Sequence, residues 1–186
     1  MRLGTAAALA LALAGCSADY VEQNQSSVLL LVESINEGAP LLSDVNVDGT
    51  VVNCEGTVAV SVRAKNPGNP VTPVNDVRLL RYEVSYRRSD GRGVPGVDVP
   101  YTISGNLTYT VPAGGGATAF QVDLVRHQAK LVPPLSNITG LQVVTMFADV
   151  TVTGQTIAQQ TVSGQGSVQI TFADFVTGTS TCETGS

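Results

Sequence analysis

Leu80-Arg81-Tyr82-Glu83-Val84-Ser85-Tyr86-Arg87 alternates large apolar side chains with charged or hydroxyl ones through eight positions without a break. Period-two alternation is what a strand with one buried and one wet face requires; a helix would scatter the same side chains around its circumference. The spacing therefore predicts Leu80, Tyr82, Val84 and Tyr86 on the core side of a sheet and Arg81, Glu83, Ser85 and Arg87 toward water. Outward from there the same rhythm recurs, with Val58, Val60 and Val62 set against Ala59, Ser61 and Arg63.

Further strands are predicted over Val28–Asn36, Tyr101–Ile103, Asn106–Val111, Thr118–Val125, Leu141–Thr153, Thr156–Ser163 and Ser167–Phe175. Turn-forming residues separate them: Asn66-Pro67-Gly68-Asn69-Pro70, Ser89-Asp90-Gly91, Pro112 to Gly116, Pro133-Pro134, Gly154-Gln155 and Gly164-Gln165-Gly166. Helix has little support. Only Val28–Glu37 admits one, and its run Val-Leu-Leu-Leu-Val suits a buried strand as well. The reading is an all-β chain, an antiparallel β-sandwich of about seven to nine strands. In strand number and spacing it resembles immunoglobulin-like or fibronectin-type sandwiches, although the chain has no Trp and so lacks the immunoglobulin Cys…Trp…Cys signature.

Composition agrees with a folded, strand-rich body. Among 186 residues, 43% are hydrophobic and only 13% charged, the reverse of what a disordered chain shows. Ten Lys+Arg against fifteen Asp+Glu give a formal net charge of −5, which excludes a generic basic nucleic-acid binder.

The first residues carry an address. Met1-Arg2-Leu3 supplies one positive charge, Gly4 to Ala14 is an Ala/Leu run, and Leu13-Ala14-Gly15-Cys16 closes it with small residues before a cysteine. At about 11 residues the run is too short to span a bilayer core, which takes about 20, so it reads as a secretory leader. Leu13-Ala14-Gly15-Cys16 resembles a bacterial lipoprotein lipobox. The resemblance implies a diacylglycerol on the Cys16 sulfur, cleavage before it, and acylation of the new terminus. It implies a membrane partner through the N-terminal lipid, and Ser17 rather than Asp after the cysteine implies the outer membrane in a two-membrane cell.

Residues 1–15 are then the signal peptide, 16–27 a polar tether, 28–176 the β-sandwich and 177–186 a C-terminal tail. The tether reaches at most about 35–40 Å. Loss of residues 1–15 removes Arg2, leaving nine basic against fifteen acidic side chains, a formal −6. A body of that sign gains nothing from anionic lipid, so the acyl chains must do the anchoring.

With Cys16 lipidated, Cys54 and Cys182 remain, and an even pair in an oxidising compartment predicts a disulfide. Asp44-Val45-Asn46-Val47-Asp48-Gly49-Thr50-Val51-Val52-Asn53-Cys54-Glu55 matches the calcium-loop pattern D-x-[DN]-x-[DN]-G-x5-E, similar to an EF-hand or dockerin loop. That likeness implies oxygen ligands from Asp44, Asn46, Asp48 and Glu55. Its surroundings do not fit, because Pro40 interrupts any incoming helix and Gly56-Thr57-Val58-Ala59-Val60 reads as a strand. Asp48-Gly49 between valines is also a strong two-residue hairpin signal, so the preferred reading is a hairpin without metal, with calcium as the alternative.

Catalytic motifs are absent from the sequence: no Gly-x-Ser-x-Gly, His-Glu-x-x-His or Walker A loop occurs. The single histidine, His127, follows a strand with Arg126 and Lys130 nearby and reads as a strand-end residue. Five of the nine basic residues outside the leader, Arg78, Arg81, Arg87, Arg88 and Arg92, crowd one hairpin; pairing with Glu83, Asp90 and Asp98 is the expectation, recognition of an acidic partner the alternative. The stretch Tyr82–Tyr101 with Ala64-Lys65-Asn66-Pro67 resembles a family of bacterial secreted proteins, and no activity comes with that likeness. The functional expectation is a noncatalytic envelope lipoprotein with a structural or protein-interaction role and an unknown protein partner. A calcium-stabilised adhesion module is the second expectation and a hydrolase the third.

Overall fold

A computed structural model describes residues 26–45, 53–174 and 182–184. Ten strands lie among them: β1 Val28–Ile35, β2 Leu41–Asp44, β3 Cys54–Ala64, β4 Val77–Arg88, β5 Ile103–Asn106, β6 Thr110–Val111, β7 Thr118–Val125, β8 Val143–Thr156, β9 Thr161–Ala173 and β10 Cys182–Thr184. They form two sheets. One has three strands in the order β1-β3-β7; the other has the order β10-β2-β9-β8-β4-β5, with β6 also on β4. The all-β class stands, and four strands of four residues or fewer (β2, β5, β6 and β10) raise the number above the seven to nine expected.

The valine alternation builds the inner faces. Val58, Val60 and Val62 of β3 are fully buried, as are Met146, Ala148, Val150 and Val152 of β8 and Ile170 and Phe172 of β9. Along β8 each of these inward residues alternates with a half-buried one, and the two sheets close one apolar layer between them. Tyr86 ties the sheets together, its buried hydroxyl donating to the Leu124 carbonyl at 2.7 Å. Tyr82 does the same from one turn of the pleat away, accepting from the Asp123 amide at 3.3 Å.

Three expectations are corrected. Leu80 faces out, 38% exposed, because the pairing of β4 with β8 slips between Leu79 and Arg81. A bulge inserts one extra residue, so Leu79 is buried on one side of it and Tyr82, Val84 and Tyr86 on the other. Second, the sheet is not wholly antiparallel: β2 lies parallel to β9, Leu41 opposite Ile170. The chain leaves the small sheet at the end of β1 through Asn36, Glu37 and Gly38, three consecutive residues with φ of 51, 56 and 85°, and so enters the large sheet running alongside β9.

Third, Gly154-Gln155 and Gly164-Gln165-Gly166 are not turns. Both lie inside strands, and the β8–β9 hairpin closes instead at Thr156, whose amide donates to the Gln160 carbonyl at 2.9 Å, with Gln159 at φ 62°. The glycines mark a crossing. A Cβ on Gly164 would lie 2.6 Å from the Leu30 carbonyl oxygen, and one on Gly166 2.7 Å from a Val32 methyl, so β9 is bare where β1 passes over it. Within the segment expected to be a tail, β10 adds to β2, with Cys182 opposite Ser43. Cys54 and Cys182 form the expected disulfide across a sequence separation of 128, with Cα atoms 5.2 Å apart.

The sequence reading missed one short helix, α1, His127–Lys130. Four residues are too few for a 3.6-residue period to register.

Candidate functional site

At the end of the two-sheet body where β3 begins and β7 ends, an open cleft of about 760 Å³ lies between α1 and the segment that leads into β5. Pro100, Tyr101, Ile103, Ala129 and Val132 make it mostly apolar, and Asn53, Asp123, Arg126 and His127 supply polar groups. A smaller polar recess of about 480 Å³ adjoins it, sharing Asp123 and Arg126 and bounded by Glu55, Asn106 and Gln121.

The polar groups form a chain. Asn53 donates through Nδ2 to the Asp123 carboxylate at 3.1 Å, and its Oδ1 accepts the His127 amide at 2.9 Å. A carboxylate only accepts, so this pair fixes which end of the Asn53 amide is oxygen. The His127 Nδ1 lies 3.2 Å from that same oxygen and must carry its proton there. The tautomer is thereby set, leaving Nε2 as the acceptor when the ring is neutral. Arg126 donates to the Ser104 carbonyl at 2.6 Å and lies 3.6 Å from Asp123, so the cation and the carboxylate offset one another.

A hydrolase of the kind considered above needs His127 held by a carboxylate and facing a nucleophile. Here it is held by an amide, and the described residues lining the cleft include no Ser, Thr or Cys. Of this constellation the sequence singled out only His127. Asn53 comes from 74 positions away, a juxtaposition that no local pattern encodes.

The calcium-loop candidates are divided. Asp44 is buried at the end of β2 in the large sheet, whereas Glu55 is exposed on β3 in the small one, so one carboxylate faces the interior and the other water. Asn46 and Asp48 lie outside the described residues, as does Cys16. Among the described residues no group of three His, Cys, Asp or Glu side chains could hold a metal ion.

Near Asp44 is a fully buried Lys130, whose Nζ finds no hydrogen-bond partner. Burial pushes its pKa below the usual lysine value, and the Asp44 carboxylate pulls it partly back. The sign of the consequence follows. The folded state sheds this proton at lower pH than the unfolded chain does, so between the two values the unfolded chain binds more protons and stability rises with pH. Urea titrations should show the protein gaining stability as pH rises toward the ordinary lysine value of about 10, relative to Lys130→Met, in which this contribution is gone. Parallel pH profiles for the two proteins would refute the buried ammonium.

The arginine hairpin is largely neutralised. Arg81 pairs with Glu83 at 2.8 Å, Arg88 and Arg92 with Asp90 at 3.2 and 2.7 Å, and Arg92 also with Asp98 at 3.7 Å. Arg87 reaches across the sheet to Asp149 at 2.9 Å and covers the Phe147 ring. Hydrogen bonds from Arg92 hold the Asp90 carboxyl down to about 2. These are solvated pairs of small energetic value.

Fold and site together define a two-sheet, all-β protein with an apolar cleft at one end and a locked histidine on its rim. No family model matches the chain, and no curated protein matches it. Among solved structures it is similar to the solution structure of a candidate late embryogenesis abundant (LEA) protein, at 14% identity and a TM-score of 0.39, over 78% of this chain and 72% of that one.

Proposed function

We propose that the chain is a lipid-anchored cell-envelope lipoprotein whose body, an immunoglobulin-like β-sandwich, works without catalysis as a structural or protein-interaction module. The observation that carries this is Leu13-Ala14-Gly15-Cys16 at the end of a short apolar leader. Three acyl chains on one terminus exceed the two signals that stable anchoring takes, and in a two-membrane cell Ser17 favours the outer membrane. No helix among the described residues is long and apolar enough to cross a membrane.

The placement of the cleft supports an interaction role. Val28, where the chain arrives from the tether, pairs with Ala64 at the far end of β3, and Asn53 precedes its near end. Eleven strand residues at about 3.4 Å each put roughly 35 Å between the anchored end and the cleft. The cleft therefore lies at the opposite end of β3 from Val28, the residue that follows the proposed tether.

Cys16→Ala tests the anchor. The variant is expected to leave the membrane pellet and appear in the soluble exported fraction. A variant that pellets as the wild type does would contradict the lipoprotein reading.

A further inference from the structure

Tyr101 is 64% exposed but not loose. Gly96, at φ +77°, lies directly behind it, and a Cβ there would sit 2.6 Å from the ring carbon that bears the hydroxyl. The ring thus rests on bare backbone and forms a fixed wall of the cleft. A rigid exposed aromatic beside an apolar floor of Ile103 and Ala129 is the kind of surface on which interaction energy concentrates.

The rim specifies what else an occupant must carry. Asn53 and Asp123 lock the His127 proton on Nδ1, so the neutral ring offers only an acceptor at Nε2, for which no described residue supplies a donor. Charge at the site is balanced, Asp123 against Arg126. An ionic ligand would shed its hydration in a mostly apolar cleft where, among the described lining residues, the Asp123 carboxylate and the Arg126 guanidinium already face each other. The complement is an uncharged aromatic group with a hydroxyl. A volume of about 760 Å³ exceeds what one ring fills and suits a side chain arriving with its backbone.

We propose that this cleft binds a tyrosine side chain of a partner polypeptide, the ring against Tyr101 and the phenol donating to His127. The proposal rests on the noncatalytic interaction reading and names the chemistry of the partner.

The test uses the full-length chain in detergent micelles, titrated with N-acetyl-tyrosinamide and N-acetyl-phenylalaninamide while backbone amide shifts are followed by NMR. The tyrosine probe should give saturable shifts at Tyr101, Ile103, His127 and Ala129 and bind roughly tenfold more tightly than the phenylalanine probe, the worth of one hydrogen bond to a desolvated acceptor. Tyr101→Ala, an exposed position that leaves folding intact, should weaken both probes. His127→Phe should abolish the preference between them. Absence of saturable shifts, equal affinity of the two probes for the wild type, or a tyrosine preference that survives His127→Phe would each overturn the proposal. Membrane release of Cys16→Ala is measured separately, so the site can fail while the anchor stands.

Discussion

Replacing both Cys54 and Cys182 by alanine is expected to cost about 4–5 kcal/mol of folding free energy, against a total stability of roughly 5–15 kcal/mol for a domain. The bridge spans 128 positions of sequence, and loop-closure entropy in the unfolded chain grows with that span. It also fixes a three-residue strand: β10 holds to β2 through Cys182 opposite Ser43, with Ser43 Oγ 3.3 Å from Cys54 Sγ. Without the bridge so short a strand has little to keep it in register. Urea denaturation of the oxidised protein and of the double variant measures the difference, and reducing agent should shift the wild type to the variant's midpoint. Coincident midpoints without reductant would mean that the bond does not form or does not stabilise.

Gly164→Val is expected to destabilise by at least about 3 kcal/mol, above the usual range for surface strand positions. The obstacle is the Leu30 carbonyl oxygen 2.6 Å from where the Cβ would stand, and main chain in the middle of a paired strand cannot swing aside as a side-chain tip can. Relief requires β1 to lift from β9, which would uncover Leu30 and Val28. Gly38→Ala, at a φ of 85° but with nothing within 4 Å, is the control, because its cost is backbone conformation alone, about 1 kcal/mol. If the two variants melt together, β1 does not cross β9 at that glycine.

How far the fold could be read follows from where each signal lives. Tyr82, Val84 and Tyr86 announce their face because alternation is a property of neighbouring residues. Leu80 breaks the rule because a bulge depends on the partner strand, and nothing within β4 records that β8 is one residue short there. Gly164 and Gly166 were read as turn-formers for the same reason: a glycine that frees the backbone and one that makes room for another strand look alike until the crossing strand is known. The parallel alliance of β2 with β9 joins segments more than a hundred positions apart. Composition and turn chemistry could set the class, but not that pairing.

The candidate site divides the same way. His127 was conspicuous as the single histidine, and its role depends on Asn53, which stands two residues before the end of the matched calcium-loop pattern and carried no signal of its own. Asp44, offered as a cation ligand, is buried at the end of β2 near Lys130. The hairpin arginines could be paired on paper with Glu83, Asp90 and Asp98, since those partners are local. Asp149, on the neighbouring strand, could not.

All of the functional reading depends on the chemistry of one atom, the Cys16 sulfur. Mass spectrometry of the N-terminal peptide from protein extracted out of its own membrane tests it. Lipidation predicts a peptide that begins at Cys16 and carries a diacylglyceryl thioether and an amide-linked acyl chain. A peptide bearing a free Cys16 thiol, or one that begins at any other residue, would contradict it.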